Sequence, residues 1–449
     1  MTNILATIGN ITSNNSSIKK IIKYTNFFRL NLSHNKITWH EKVSKKIKSQ
    51  FKETIILVDL PGIKPRTKNE KIINIKKNQL VKFHYKKKFK LSKYLSIELS
   101  NKLPKSKKNY FTISDGKRFF KIVKRSSNEI IGKSNDKFLL EPGQGLNIPF
   151  SNYDNKLQEK KYLNSLKNLK KIKFDAIGLS FIQDEKIIYK IKKLFPSKNI
   201  ISKIENFLGL KNLENIVKAS DAIMIDRGDL QAELGQLNLF ENVKKIVNCA
   251  QKLGKPIIMA TENLGSMMEN NIPSKNDLIS IGYSQQINVD TIMLSEETAI
   301  NKNYLKIIKT LKKILKPKKI KKKRSLVSDK IDNVLWQSLK DIKNCKVVLF
   351  TKKGYVIDKI RTINKKLELF IFTDNIKIYN QSKIRKNCNG CLIPKFNNKN
   401  LENFTYKFIK HYKKDIFINS KKAILLRVSY PSSGMRANTI TILNYKSFL

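Results

Sequence analysis

The chain has 449 residues, 40% of them hydrophobic, which exceeds what one core usually holds and is enough to bury two or three. Its formal charge of +56 is spread from Lys19 to Lys446 beside abundant isoleucine and asparagine, so it reads as compositional drift rather than as a surface shaped for a polyanion. Four cysteines exclude a disulfide framework in a chain of this length, and no apolar run is long enough to span a bilayer.

From the N-terminus, Ile4-Leu-Ala-Thr-Ile8 is a strand pattern with no charged-then-apolar leader before it, which points to a cytoplasmic, reducing setting. Further short apolar runs follow at Phe27–Leu32, Ile55–Val58, Ala176–Phe181, Ile200–Ile204, Ala222–Ile225, Pro256–Ala260 and Thr291–Leu294. Amphipathic stretches such as Leu213–Ala219 and Phe240–Leu253 lie between them, with apolar residues at three- and four-residue spacing. Strand and helix in alternation predict a (β/α)₈ barrel, with a doubly wound open sheet as the competing arrangement. Between Asp59 and Ala176 the rhythm breaks. There Leu80–Phe89, Tyr94–Leu99, Phe119–Val123 and Glu129–Ile131 alternate like strands joined by turns such as Ser114-Asp115-Gly116. An inserted β domain is expected at that point.

Lys316-Pro-Lys-Lys-Ile-Lys-Lys-Lys-Arg324 reads as a solvated linker. Beyond it a helix over Ile331–Ile342 and strands at Cys345–Thr351, Leu367–Phe372 and Ala423–Val428 predict a separate α/β domain. The expected division is a barrel over 1–67 and 155–325, an inserted β lid over 68–154, and a C-terminal α/β domain over 331–449. Cys388-Asn-Gly-Cys391 has metal-ligand spacing but no second Cys or His pair, so two free thiols in a turn are expected.

Lys203-Ile-Glu205 closes one apolar run and Arg227-Gly-Asp229 follows the next, delivering a lysine and two carboxylates to the ends of consecutive strands. Two hard oxygen ligands with an ammonium beside them suit a divalent metal and a transferring phosphoryl group. On a barrel, residues at the C-terminal ends of different strands converge on one face. That ring would join Arg29, Asn31 and Ser33, Asp59 with Arg66, Ser180, Lys203 with Glu205, Asp229, Thr261, and Ser295 with Glu297. It offers phosphate ligands in Arg29, Arg66 and Lys203, metal ligands in Glu205 and Asp229, and a hydroxyl relay in Thr261, the inventory phosphoryl transfer needs. Taken singly, each of these is equally a strand-end cap or a salt-bridge partner.

The motifs Ala6-Thr-Ile-Gly9, Arg29-Leu-Asn-Leu-Ser-His34, Ile201-Ser-Lys-Ile-Glu-Asn206, Ser220-Asp-Ala-Ile-Met224, Arg227-Gly-Asp-Leu230 and Met293-Leu-Ser-Glu-Glu-Thr-Ala299 resemble, in order, those of the pyruvate kinase family. The resemblance implies a TIM barrel with an inserted β-barrel lid and a C-terminal α/β domain. It also implies phosphoryl transfer from phosphoenolpyruvate to ADP with Mg²⁺ or Mn²⁺, in a homotetramer, with no specific nucleic acid and no membrane as partner. By position it makes Glu205 and Asp229 the Mg²⁺ ligands and Lys203 the cation facing the phosphoryl group and enolate. Arg29 would hold the transferring phosphate, Ser180 would line the substrate site, and the Gly228-Asp229 amides would receive the substrate carboxylate. Thr261 would deliver a proton, while Arg66, Asn31, His34 and Asp115 would face the nucleotide.

The sequence departs from the family at Asp226, Gln231, Glu262 and Glu296, and the three carboxylates among them predict extra negative charge near the metal. A monovalent-cation cage would match Asn31, Ser33, Asp59 and Leu60; Leu60 is expected to remove a side-chain oxygen from it, and Lys64 to replace a glutamate with an ammonium. K⁺ is therefore not an expected requirement. The segment Thr351-Lys-Lys-Gly354-Tyr lacks small phosphate donors, which argues against activation by a sugar bisphosphate. Two other readings compete: a Mg-dependent barrel lyase or aldolase acting on a pyruvate-like enolate, and an impaired basic scaffold that binds nucleic acid.

Overall fold

The computed structural model describes residues 2–86, 94–316, 338–340, 342, 344–396, 401–418, 420–427 and 439–448. Eight parallel strands close into a barrel: β1 (Asn3–Thr7), β2 (Phe27–Asn31), β3 (Ile55–Leu60), β4 (Ala176–Leu179), β5 (Asn199–Ile204), β6 (Ala222–Asp226), β7 (Ile257–Ala260) and β8 (Thr291–Leu294). The pairing of β1 with β8, Asn3 opposite Thr291, rules out an open sheet. Each predicted apolar run supplied one of these strands because both faces of a barrel strand are covered. Ile4, Leu30, Ile56, Val58 and Ile177 pack outward against the helices. Leu5, Phe27, Leu57, Ile201 and Met224 fill the interior. The helix Leu239–Lys252 shows the matching half of this arrangement, burying Val243, Ile246, Val247 and Ala250.

Between β3 and β4 the insertion forms a six-stranded sheet and a two-stranded ribbon, Ile73–Ile75 with Phe138–Leu140, around one core that includes Val81, Phe83, Phe111, Phe120 and Ile130. The sheet contains Leu80–His84, Leu95–Glu98, Arg118–Arg125 and Glu129–Ser134, together with Tyr110–Ile113 and Leu146–Asn147, which the sequence reading did not mark. Its turn at Ser114, Asp115 and Gly116 has three successive positive φ values, 57°, 53° and 87°, which such a hairpin tip tolerates in short polar residues and glycine.

The C-terminal sheet runs in the order Cys388–Leu392, Glu368–Thr373, Lys346–Phe350, Lys422–Arg427, Thr439–Asn444; its last pair is antiparallel and the others are parallel. Cys388 and Cys391 therefore lie in a strand rather than in the expected turn, and both are free thiols. The basic linker beyond Lys316, most of the helix expected over Ile331–Ile342, the end of the run Leu80–Phe89, and Val428 lie outside the described residues. No helix among the described residues is long and apolar enough to cross a membrane.

Candidate active site

Alternation along the barrel strands builds the site. Inward positions near the strand starts are apolar, and two residues further along the same faces become polar: Phe27 is followed by Arg29, Leu57 by Asp59, Ile201 by Lys203, and Ala222 and Met224 by Asp226. Strand register sets this layer side by side, with Asp59 opposite both Asn31 and Gly178. Gly178 is needed there, since a Cβ would stand 2.9 Å from Asp59 Oδ1.

Asp59 is buried and accepts from Arg29 Nε at 2.8 Å, with Arg29 NH2 at 2.7 Å and Lys203 Nζ at 3.4 Å. Burial favours its neutral form, but Lys203 and Arg29 outweigh burial and hold its carboxyl below the usual range. Arg29 also donates to Thr7 Oγ1 at 3.2 Å. Lys203 lies at the centre of the site, 2.8 Å from Glu205, 3.3 Å from Asp226, and donating to Ser180 Oγ at 3.1 Å. Burial opposes its charge, yet Asp59, Glu205 and Asp226 overcome that and raise its pKa. Glu205 is fully buried, and its Oε2 accepts from the Phe181 amide at 2.5 Å. Phe181 has a positive φ of 60°, and Tyr162 and Gln158 hold its turn by bonding the carbonyls at 180 and 181. Asn206 ends β5 by capping the next helix through the Gly209 amide at 2.8 Å.

Asp229 opens the helix Arg227–Leu234 after β6. Its Oδ1 is 2.5 Å from Lys64 Nζ, which also meets Asp115 of the insertion at 3.0 Å. Lys64 is thus buried, and its side chain passes where a Cβ on Gly145 would fall 2.1 Å from Lys64 Cε. Arg227 clamps the loop after β7 through the carbonyls of Thr261 and Glu262 and the side chain of Asn263. That clamp holds Thr261 and Glu262 in left-handed backbone, φ 59° and 51°, which costs of order 1–3 kcal/mol per residue. The Thr261 hydroxyl is set between Asp226 Oδ1 and the Gly228 amide, 3.2 Å from each.

The remaining expected residues are placed differently. Ser33, His34 and Arg66 are exposed at the rim, and Asn31 Oδ1 accepts from the Ser33 amide at 3.1 Å. Leu60 corrects one expectation. Following inward Asp59, it faces outward with Ile56 and Val58, so no side chain at 60 could enter a cation cage. Glu262 and Glu296 are exposed, and the added negative charge inside the site comes from Asp226 alone. Asp226 was read in the sequence only as a departure; its place two residues past Met224 on the inward face was the available signal. Glu233 was missed outright, being a helix residue with no motif of its own.

Five carboxylates, at Asp59, Asp115, Glu205, Asp226 and Asp229, crowd around Arg29, Lys64 and Lys203, and burial pushes Glu205 up to about 8 and Asp229 above the usual carboxylate range. Glu205, Asp226 and Asp229 each bring an oxygen within 4.8 Å of the other two, and Glu205 Oε1 accepts no aligned hydrogen bond beyond its ion pair with Lys203. Charge, hard donors and spacing all fit a divalent cation.

Glu233 ties the root of the insertion to the barrel, accepting from Tyr153 Oη at 2.6 Å and Asn147 Nδ2 at 2.8 Å. Burial pushes it up to about 7 against the pull of these bonds. The folded protein therefore keeps this proton to higher pH than the unfolded chain does, so stability falls as pH rises from the ordinary carboxylate range to about 7. Glu233→Gln should remove up to about 3 kcal/mol of that pH dependence. Thermal unfolding at pH 5 and pH 8 checks this, and an unchanged pH slope in the variant would refute it.

A family model described as the pyruvate kinase barrel domain matches residues 1–306. The chain is 29% identical over 414 residues to the pyruvate kinase of Thermotoga maritima, across 86% of this chain and 87% of the relative. It is 26% identical over 455 residues to that of Methanocaldococcus jannaschii, across 98% of both. To that of Buchnera aphidicola it is 30% identical over 331 residues, 70% of this chain and 69% of the relative. The crystal structure of pyruvate kinase from Pyrobaculum aerophilum superposes with a TM-score of 0.77 at 21% identity, covering 99% of this chain and 98% of that one, a likeness of fold.

Proposed function

The chain belongs to the pyruvate kinase family, and from that premise we propose that it transfers the phosphoryl group of phosphoenolpyruvate to ADP, giving pyruvate and ATP in glycolysis. The observation that carries this is Lys203, a buried ammonium aimed among Asp59, Glu205 and Asp226 at the C-terminal end of the barrel. Such a fixed cation neutralises charge on a phosphoryl group and on the enolate it leaves, in a site shielded from water. Arg29, whose Nε and NH2 meet Asp59 and whose NH1 donates to Thr7, would turn its remaining N–H donors toward the transferring phosphate. The Gly228 amide and the Thr261 hydroxyl converge where a substrate carboxylate and the enolate carbon would lie. Thr261 is positioned to relay a proton to that carbon through water, taking one back from the same water, while its hydrogen bond to Asp226 holds the hydroxyl in place.

Glu205 and Asp229 would hold the metal, as Mg²⁺ or Mn²⁺, which supplies Lewis-acid charge neutralisation when bound. Asp115, reaching Lys64 from the insertion, would close over the nucleotide, with Arg66, Asn31 and His34 at the rim. The catalytic barrel would span 1–67 with 155–325, the lid 68–154 and the C-terminal α/β domain 331–449. Family resemblance supports a homotetramer in the cytoplasm.

A lyase or aldolase would need the same enolate chemistry but no nucleotide, and the contact between Asp115 and Lys64 favours a site that closes from the insertion. In a coupled assay the purified protein should form ATP from phosphoenolpyruvate and ADP only when Mg²⁺ or Mn²⁺ is added. Pyruvate-enolate turnover without ATP formation would favour the lyase, and no turnover would favour the scaffold.

A further inference from the structure

Asp226 is one of the positions at which the sequence departs from the family, and it is buried with two of the groups that define the site. Resting on the proposed function, we infer that Asp226 is a third carboxylate ligand of the divalent metal, making this site richer in negative charge than the pair Glu205 and Asp229.

The geometry carries this in three steps. First, Asp226 is the last residue of β6, and register sets Ile225 opposite Ile204, so Asp226 lies beside Glu205 at the same height in the barrel. Second, one oxygen of Asp226 lies within 4.8 Å of oxygens on both Glu205 and Asp229. Neighbouring oxygens on an octahedral Mg²⁺ stand about 3 Å apart and only one pair of the three can lie across the ion, so the carboxylates must close in by up to about 2 Å, a change of side-chain rotamer. Third, Asp229 is already engaged. Its Oδ1 is 2.5 Å from Lys64 Nζ, so a metal there competes with a buried ammonium for that carboxylate. Asp226 restores the donor that Lys64 draws away, and the two residues offset each other in charge. Glu205 Oε1 is buried and, beyond its ion pair with Lys203 at 2.8 Å, accepts no aligned hydrogen bond.

The alternative role for Asp226 is as a hydrogen-bond partner alone, since it also accepts from Thr261 Oγ1 at 3.2 Å. Metal binding separates the two. Mn²⁺ affinity and the number of inner-sphere waters on bound Mn²⁺ would be measured on the full chain without substrates, by electron paramagnetic resonance and water-proton relaxation, for wild type, Asp226→Ala and Asp226→Asn. Asp226→Asn keeps the shape and a carbonyl acceptor for Thr261, so it remains informative if the alanine variant does not fold. Both variants should bind Mn²⁺ at least about tenfold more weakly and show about one additional coordinated water. An unchanged water count, or affinity equal to or tighter than wild type, would overturn the inference. Wild type that binds Mn²⁺ through Asp226 yet forms no ATP would overturn the proposed function and leave the ligand assignment standing; active wild type with unaltered metal binding in the variants would do the reverse.

Discussion

Lys203→Met should lower turnover about a thousandfold or more while leaving the enzyme able to bind phosphoenolpyruvate. Methionine fills nearly the same volume, so the loss is that of one fixed positive charge facing a developing oxyanion, and removing a single donor of that kind costs about 10²–10³ in rate. Here the charge is buried with Asp59, Glu205 and Asp226, where little water screens it, and that places the effect at or above the upper end. The same burial makes the substitution structurally costly. Removing one partner of a buried ion pair leaves carboxylates without a counter-charge, a penalty of about 3–5 kcal/mol, lessened as Glu205 takes up a proton. Steady-state kinetics on variant protein with an intact unfolding transition test the idea, and near wild-type turnover in such protein would refute the role given to Lys203.

The second large effect concerns Lys64. Wild-type activity should change by less than about twofold when a tetramethylammonium salt replaces K⁺, because the site already contains an internal ammonium 2.5 Å from Asp229 and 3.0 Å from Asp115. Lys64→Glu reverses that charge among Asp229 and Asp115. At about 4 Å and an effective dielectric near 20, one charge pair is worth about 4 kcal/mol, so activity without K⁺ should fall by more than about a hundredfold. Added K⁺ should restore part of it, or the variant should remain inactive. Strong stimulation of the wild type by K⁺ would sink the proposal. Gly145 offers a related check, because a side chain there would collide with Lys64 Cε and should disturb activity in the same direction.

The burial of Lys64 is also where reading a sequence reaches its limit. A lysine after a strand, in a chain with 91 lysines and arginines, is most often a solvated end, and nothing local distinguishes this one. Its partners are far away along the chain: Asp229 meets it because the barrel brings strand ends to one face, and Asp115 because the insertion folds back over that face. Leu60 shows the opposite case. Strand alternation after inward Asp59 turns it outward beside Ile56 and Val58, away from any cation cage.

Much else was legible from the chain. Eight apolar runs with amphipathic stretches between most of them implied a barrel because strands covered on both faces must be apolar throughout, and the interval from Asp59 to Ala176 implied an insertion because it exceeds what one crossover needs. That Lys203, Glu205, Asp229 and Thr261 would gather on one face could be expected because each lies at or just beyond the end of such a run, and barrel geometry sends strand ends to one face. What only the tertiary structure decided is which of them touch and what surrounds them. The left-handed turn at Phe181 aims an amide at Glu205, Arg227 holds Thr261 against Asp226, and Asp226 itself joins Lys203. These depend on register between strands and on loops clamped by distant side chains, interactions between residues far apart in the chain that local patterning does not encode.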